Sequence, residues 1–236
     1  MYGDCDTCLN LNSDICDECI YYERDLYDHY EPATEEQLKN REAETRKKAE
    51  DTLPYITLPI RKPLPQKFIE TFEALKPFNG YKTLNYKLIP IYAGLNYLST
   101  SNTHLIAKIF CPVPEELHDK NIIRIEENEV RVYDGKLPFA QKEENYMFKD
   151  YKISFNQVGK HTINRPGYEH IMFLKLPQVA IWVNDEYINM AQEILVGDLT
   201  LYYRGKHDAI TLEGDNGFVI ILPLKQIENE KMVEAL

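Results

Sequence analysis

Four cysteines, Cys5, Cys8, Cys16 and Cys19, stand near the N-terminus in the pattern C-x2-C-x7-C-x2-C. Two thiolates two residues apart can grip one metal ion from a tight turn, and two such turns complete a tetrahedral S4 site suited to Zn²⁺. The loops between them are rich in Asp and Asn, which favour tight turns. Four cysteine ligands leave no open coordination position, so the expected role is structural: a compact zinc knuckle over residues 1–20. Disulfide pairing and unpaired thiols in a loose tail are the other readings of the same residues. The acidic start, Met1-Tyr2-Gly3-Asp4, is unlike a secretory signal and disfavours disulfides. Cys111 closes the apolar run Ile109-Phe110-Cys111 and reads as a small core residue.

Catalytic signals are weak. There is no Gly-x-Gly-x-x-Gly, Walker loop, Gly-x-Ser-x-Gly or His-Glu-x-x-His. The six histidines are scattered and read as surface or turn residues. His161 and His170 flank Arg165-Pro166-Gly167, where a metal site is the minor reading. The acidic clusters Glu126-Glu127-Glu129 and Glu143-Glu144 read as solvated loops. Tyr81-Lys82, Tyr86-Lys87 and Tyr202-Tyr203-Arg204 interleave aromatic and basic residues, as a base-stacking platform would. On a strand Tyr202 and Tyr203 face opposite sides, so at least one belongs to the core. The chain is expected not to be an enzyme.

Residues 34–51 contain strong helix formers and almost no apolar face, and Thr34 with Gln37 has capping-box spacing. This predicts a solvated acidic helical linker within residues 21–53, ended by Asp51-Thr52-Leu53-Pro54. From Tyr55 the pattern changes. Tyr55 to Ile60 alternate as a strand. Leu64, Phe68, Phe72 and Leu75 then fall on one helical face behind Pro63 and Pro65. Three extended runs follow, at Tyr86 to Tyr92, Leu95 to Thr100 and Thr103 to Val113, with turns at Ala93-Gly94 and Ser101-Asn102.

The same order recurs between residues 179 and 225. Val179 to Val183 alternate as a strand. Asn184 can N-cap a helix with Ile188, Ala191, Ile194 and Leu195 on one face, and Gly197 stops it. Strands are predicted at Leu199 to Tyr203, Ala209 to Glu213 and Phe218 to Leu224, with Asp215-Asn216-Gly217 as a hairpin turn. One helix cannot cover the apolar sheet face of a βαβββ unit, so two such units can close on each other around a shared core. The stretch between them, about 114–178, reads as an insertion. It offers a hairpin at Asn121 to Ile125 and Val130 to Tyr133, extended runs at Tyr151 to Val158 and Tyr168 to Leu174, and a polar loop.

The chain has 236 residues and a net charge of −11. Residues 1–53 hold 15 acidic and 6 basic side chains, against 23 and 21 in residues 54–236. The acidic excess is therefore an N-terminal property. It argues against a surface that attracts nucleic acid or anionic membrane throughout, but not against a local basic face. No apolar run approaches the roughly 18 residues of a membrane span. A cytoplasmic protein with no membrane partner is expected.

Two βαβββ halves ending in Phe218-Val219-Ile220-Ile221-Leu222-Pro223-Leu224-Lys225 resemble a domain of the bacterial-type DNA polymerase sliding clamp, the β subunit. Leu95 to Leu105 is similar to the clamp segment that runs one strand through a polar turn into the next, and Glu213-Gly214-Asp215-Asn216-Gly217 fits the family's final turn. The resemblance covers roughly residues 54–113 and 176–226 and implies an α+β, DNA-clamp-like domain over residues 54–226, with residues 227–236 as a tail. It implies a processivity factor for DNA replication that tethers a polymerase or another replication protein to double-stranded DNA. It also implies a groove for short apolar peptides, which no motif assigns here. Family rings contain six such domains, so a ring of this chain implies a homo-oligomer. Family helices line the hole and present basic residues to phosphates, which implies DNA-facing roles for Arg61, Lys62, Lys67 and Lys76. The alternative for these four is solubilising a helix. The second helix offers Asp185, Glu186 and Glu193 and no cation. That departure favours a second function, a zinc-containing clamp-fold adaptor or regulator that does not encircle DNA.

Overall fold

A computed structural model describes residues 34–79, 90–102, 104–134, 145–162 and 170–224. The chain divides into two compact units, Met1–Thr52 and Leu53–Leu236. The first is described by its helix α1, Glu35–Asp51. Thr34 and Gln37 form the expected capping box: the Gln37 N–H donates to Thr34 Oγ1 at 3.2 Å, and the Thr34 N–H donates to Gln37 Oε1 at 2.8 Å. Lys39 with Glu35, and Arg46 with Glu50, add ion pairs one turn apart.

The second unit is mostly β. Its elements are β1 (Tyr55–Pro59), α2 (Gln66–Leu75), β2 (Ile91–Ala93), β3 (Tyr97–Ser101), β4 (Leu105–Phe110), β5 (Lys120–Ile125) and β6 (Glu129–Tyr133). They continue with β7 (Tyr151–Ser154), β8 (Gly159–Thr162), β9 (Ile171–Lys175), β10 (Ala180–Asn184), α3 (Asp185–Ile194), β11 (Thr200–Tyr203), β12 (Ile210–Gly214) and β13 (Gly217–Ile221). Both expected βαβββ orders are present, as β1-α2-β2-β3-β4 and β10-α3-β11-β12-β13, while residues 86–89 of the expected run from Tyr86 to Tyr92 lie outside the described residues.

Among the described residues ten strands form one antiparallel sheet, ordered β1-β6-β5-β2-β3-β4-β13-β12-β11-β7, and β10-β9-β8 form a second. The halves meet where β4 pairs with β13, Ala107 opposite Val219. Outward from that seam the first half runs β4-β3-β2-β5-β6-β1. The second runs β13-β12-β11-β7 and, past the single turn Phe155–Gln157, β8-β9-β10. The order is palindromic, with β5 answering to β7 and β8, and β6 to β9. Residues 114–178 are thus not a mere appendage: they supply β5 and β6 between β2 and β1, and β7 to β9 between β11 and β10. The polar loop at 135–144 lies outside the described residues.

Alternation decides which side of each strand is buried. Leu98, Leu105, Ala107, Ile109, Leu201, Ile210, Leu212, Val219 and Ile221 join one core with both helices. Phe68, Phe72 and Leu75 enter it from α2, and Ile188, Ala191 and Ile194 from α3. Burying a side chain of this size contributes about 1.5–3 kcal/mol. The α3 helix starts as the sequence predicts: Asn184 Oδ1 accepts from the Glu186 N–H at 2.8 Å. Cys111 is buried in the same core, as expected.

Candidate functional site

Arg61 and Lys62 lie in the loop between β1 and α2, exposed, at the mouth of a cavity of about 510 Å³. Leu58, Ile60, Leu64, Leu117 and Val130 give it an apolar lining, and Glu116 adds one carboxylate. Alternation along β1 turns Leu58 inward, and Val130 stands beside it in the β1–β6 register. Leu117 arrives on the short 3₁₀ turn Glu115–Leu117. An apolar depression with cations at its mouth suits an apolar segment carrying acidic groups. Pattern reading marks Leu58, Ile60 and Leu64 as core-facing. It does not find the cavity, because Leu117 and Val130 come from a distant stretch that only pairing brings alongside.

Among the described residues β1 is an edge of the large sheet, and its open side is legible from hydrogen bonds. The Ile60 N–H donates to Asn128 O, and the Asp134 N–H to Pro54 O, both at 2.9 Å. In an antiparallel pair such bonds alternate. Pro54, Ile56, Leu58 and Ile60 therefore face β6, and Tyr55, Thr57 and Pro59 turn their backbone outward. Pro59 has no N–H to offer on that open side, which blunts the edge just where the cavity begins.

The other two expected DNA-facing residues stand elsewhere. Lys67 is exposed on α2. Lys76 donates to both oxygens of Glu73 at 2.6 Å and lies 5.3 Å from the Phe72 ring centre, so its charge is largely compensated. Glu70 and Glu73 share the exposed side of α2 with Lys67. The α3 helix carries Asp185, Glu186 and Glu193 with no Lys or Arg. Its start is acidic, and His170, at φ 66°, places Nδ1 3.5 Å from Asp185 Oδ1 and 3.6 Å from Glu186 Oε1. Carboxylates in a first turn complement the helix dipole, and that local gain works against phosphate binding. The helix layer presents no basic face made of the four expected residues together.

The remaining sequence candidates separate clearly. Cys5, Cys8, Cys16 and Cys19 lie outside the described residues, as do Tyr81-Lys82 and Tyr86-Lys87. His161 lies on β8 with its ring 6.2 Å from that of Phe173. Among the described residues no group of three or more His, Cys, Asp or Glu is placed to hold a metal ion. Tyr203 is buried, donates to Gln178 Oε1 and packs on Tyr151, whereas Tyr202 faces outward beneath Lys149. The expectation that one of the pair is core holds. Tyr92 donates to Asp119 Oδ1 at 2.6 Å, and that bond, followed by burial, holds its phenol proton well above the ordinary range. No described helix is long and apolar enough to cross a membrane.

Comparison with known proteins gives structural neighbours only. No protein-family model matches the sequence, and no curated protein does. Solved structures similar to this chain include DNA polymerase III β sliding clamps. The clamp of Pseudomonas aeruginosa with a ligand is 11% identical, with a TM-score of 0.49, covering 72% of this chain and 69% of that one. The clamp of Bartonella birtlesii bound to griselimycin is 11% identical, with a TM-score of 0.48 and coverage of 73% and 66%. The Helicobacter pylori β clamp bound to a DNA ligase peptide is 10% identical, with a TM-score of 0.46 and coverage of 73% and 66%. The chain spans about two thirds of the length of these clamps.

Proposed function

We propose that this chain is a sliding-clamp-like DNA replication accessory protein. It tethers a polymerase or another replication protein to DNA and performs no catalysis of its own. The observation that carries the reading is the palindromic joining of two βαβββ halves through β4 and β13, with both helices in one core. That is the architecture which the sequence resemblance implies. In this reading the cavity beside β1 receives an apolar segment of the partner, with Arg61 and Lys62 attracting its acidic flank or the DNA backbone. Zn²⁺ held by Cys5, Cys8, Cys16 and Cys19 is structural.

Light scattering on the full chain, with zinc measured on the same sample, tests the assembly. A mass near six chains with one zinc per chain is the expected result. Anisotropy with duplex DNA then tests the tether: Arg61→Glu with Lys62→Glu is expected to weaken binding several-fold, and added salt to weaken it further. A monomer or dimer without DNA affinity overturns the encircling reading.

Two observations favour a second reading. The acidic α3 surface and the Lys76–Glu73 pair suit an adaptor that keeps the clamp fold without encircling DNA. In that case the acidic N-terminal segment engages a basic partner.

A further inference from the structure

The face of the large sheet opposite the helices carries a small apolar strip of its own, made of Ala209, Phe218 and Ile220, with Ile106 and Leu222 at its margins. Residues 145–150 cross this strip. Met147 and Phe148 pack onto it, while Tyr146 stays 42% exposed. Among the described residues the crossing segment adds no strand to the sheet. Its ties are made by side chains. Lys149 Nζ donates to Glu213 Oε2 at 2.6 Å and lies 4.6 Å from the Tyr202 ring centre. Arg204 Nε donates to Asp150 Oδ2 at 2.8 Å, and its guanidinium lies 4.1 Å from the Phe148 ring centre.

Three features make this attachment weak relative to the sheet beneath it. Both ion pairs are well exposed, with side chains between 36% and 50% accessible, so water and salt screen them. Among the described residues the segment forms no ladder of backbone bonds. The strip also contains an uncompensated polar group: Thr211 stands between Ile220 and Tyr202 in register, is fully buried, and its Oγ1 has no hydrogen-bond partner among the described residues. A buried hydroxyl left unpaired costs free energy, which the closed face bears.

We propose that residues 145–150 are a releasable strap, latched by Lys149–Glu213 and Arg204–Asp150, that opens as a unit while the ten-stranded sheet stays folded. Opening bares the apolar strip on the outer face. The latch is independent of DNA binding and of the ring, and it responds to ionic strength and to loss of either cation.

Thiol labelling of the Met147→Cys variant of the full chain, read by mass spectrometry at that site, tests this. Cys111 in the helix-side core serves as the internal reporter of whole-sheet opening. The introduced thiol is expected to label at least tenfold faster than Cys111 and faster still in high salt. Adding Arg204→Ala is expected to speed it several-fold more, with the Cys111 rate unchanged. Labelling of both sites at one rate overturns the proposal, as does a strap rate indifferent to salt and to Arg204→Ala. Tryptic cleavage after Lys149 in the unsubstituted chain gives a second readout. It is expected to rise with salt while the sheet strands stay intact, and cleavage that occurs only with global unfolding overturns the proposal.

Discussion

Gly217 opens β13 at φ 152°, and a Cβ there would collide with the Lys108 carbonyl and Ile109 of β4. The seam between the halves thus depends on a residue without a side chain. Asn216 beside it accepts from the Val196 N–H at 2.8 Å and donates to Ile194 O at 2.9 Å, tying the end of α3 to the last hairpin. Titratable groups give predictions at the same scale. Burial pushes the Cys111 thiol up, against smaller opposing effects of Thr71 and Lys67. Cys111 is expected to resist alkylation in the folded chain and to react once urea unfolds it, as peptide mapping would detect. The phenols of Tyr92 and Tyr203 are both held above their ordinary value, Tyr92 first by its bond to Asp119 and Tyr203 first by burial. Above about pH 10 the unfolded chain loses phenolic protons that the folded chain retains, so stability falls as pH rises. Burial lowers Lys160, which works in the opposite direction. Urea midpoints are expected to decline between about pH 9 and 11, the range in which free phenols ionise, and less steeply in Tyr92→Phe.

Elements add effects that no single residue carries. The α3 helix is short and acidic, and its place depends on the apolar face set by Ile188, Ala191 and Ile194. Ile188→Ala is expected to cost about 2–5 kcal/mol, read from the shift in urea midpoint, because a cavity opens in a shared core. At β1 the concern is association. Pro59 removes the outward N–H from an edge whose Tyr55 and Ile56 are 41% and 45% exposed. Pro59→Val restores the donor. It is expected to raise the apparent mass with increasing protein concentration, and an unchanged mass would remove the protective role assigned to Pro59.

At the scale of the whole molecule, charge and architecture separate along the chain. The unit Leu53–Leu236 contains the common core, and the acidic excess lies in residues 1–53. A chain beginning at Pro54 is therefore expected to melt within a few degrees of the full chain. Loss of the net-negative segment also lowers long-range repulsion of phosphate, so its duplex-DNA affinity at low salt is expected to rise. A truncated chain that fails to fold would show that the N-terminal unit contributes to the core.

The local elements are legible in the order of amino acids alone. Period-2 runs mark the βαβββ strands, and Thr34 and Asn184 mark two helix starts. The spacing of Phe68, Phe72 and Leu75, and of Ile188, Ala191 and Ile194, names the buried faces. Each of these depends on contacts a few residues apart, so the period is written in the chain. The Gly159–Thr162 strand escapes such reading because it is short, polar and exposed, with no apolar alternation to reveal it. The partners come from long-range closure instead: β4 against β13, β6 beside β1, Leu117 and Val130 beside Leu58, and Lys149 upon Glu213. These contacts join residues far apart in sequence, and many pairings satisfy the same apolar pattern until closure of the whole sheet selects one. Lys76 makes the same point for the site. Its positive charge is evident in the sequence, but the fold sets it on Glu73 and Phe72, so a cation counted for DNA is largely compensated within the protein.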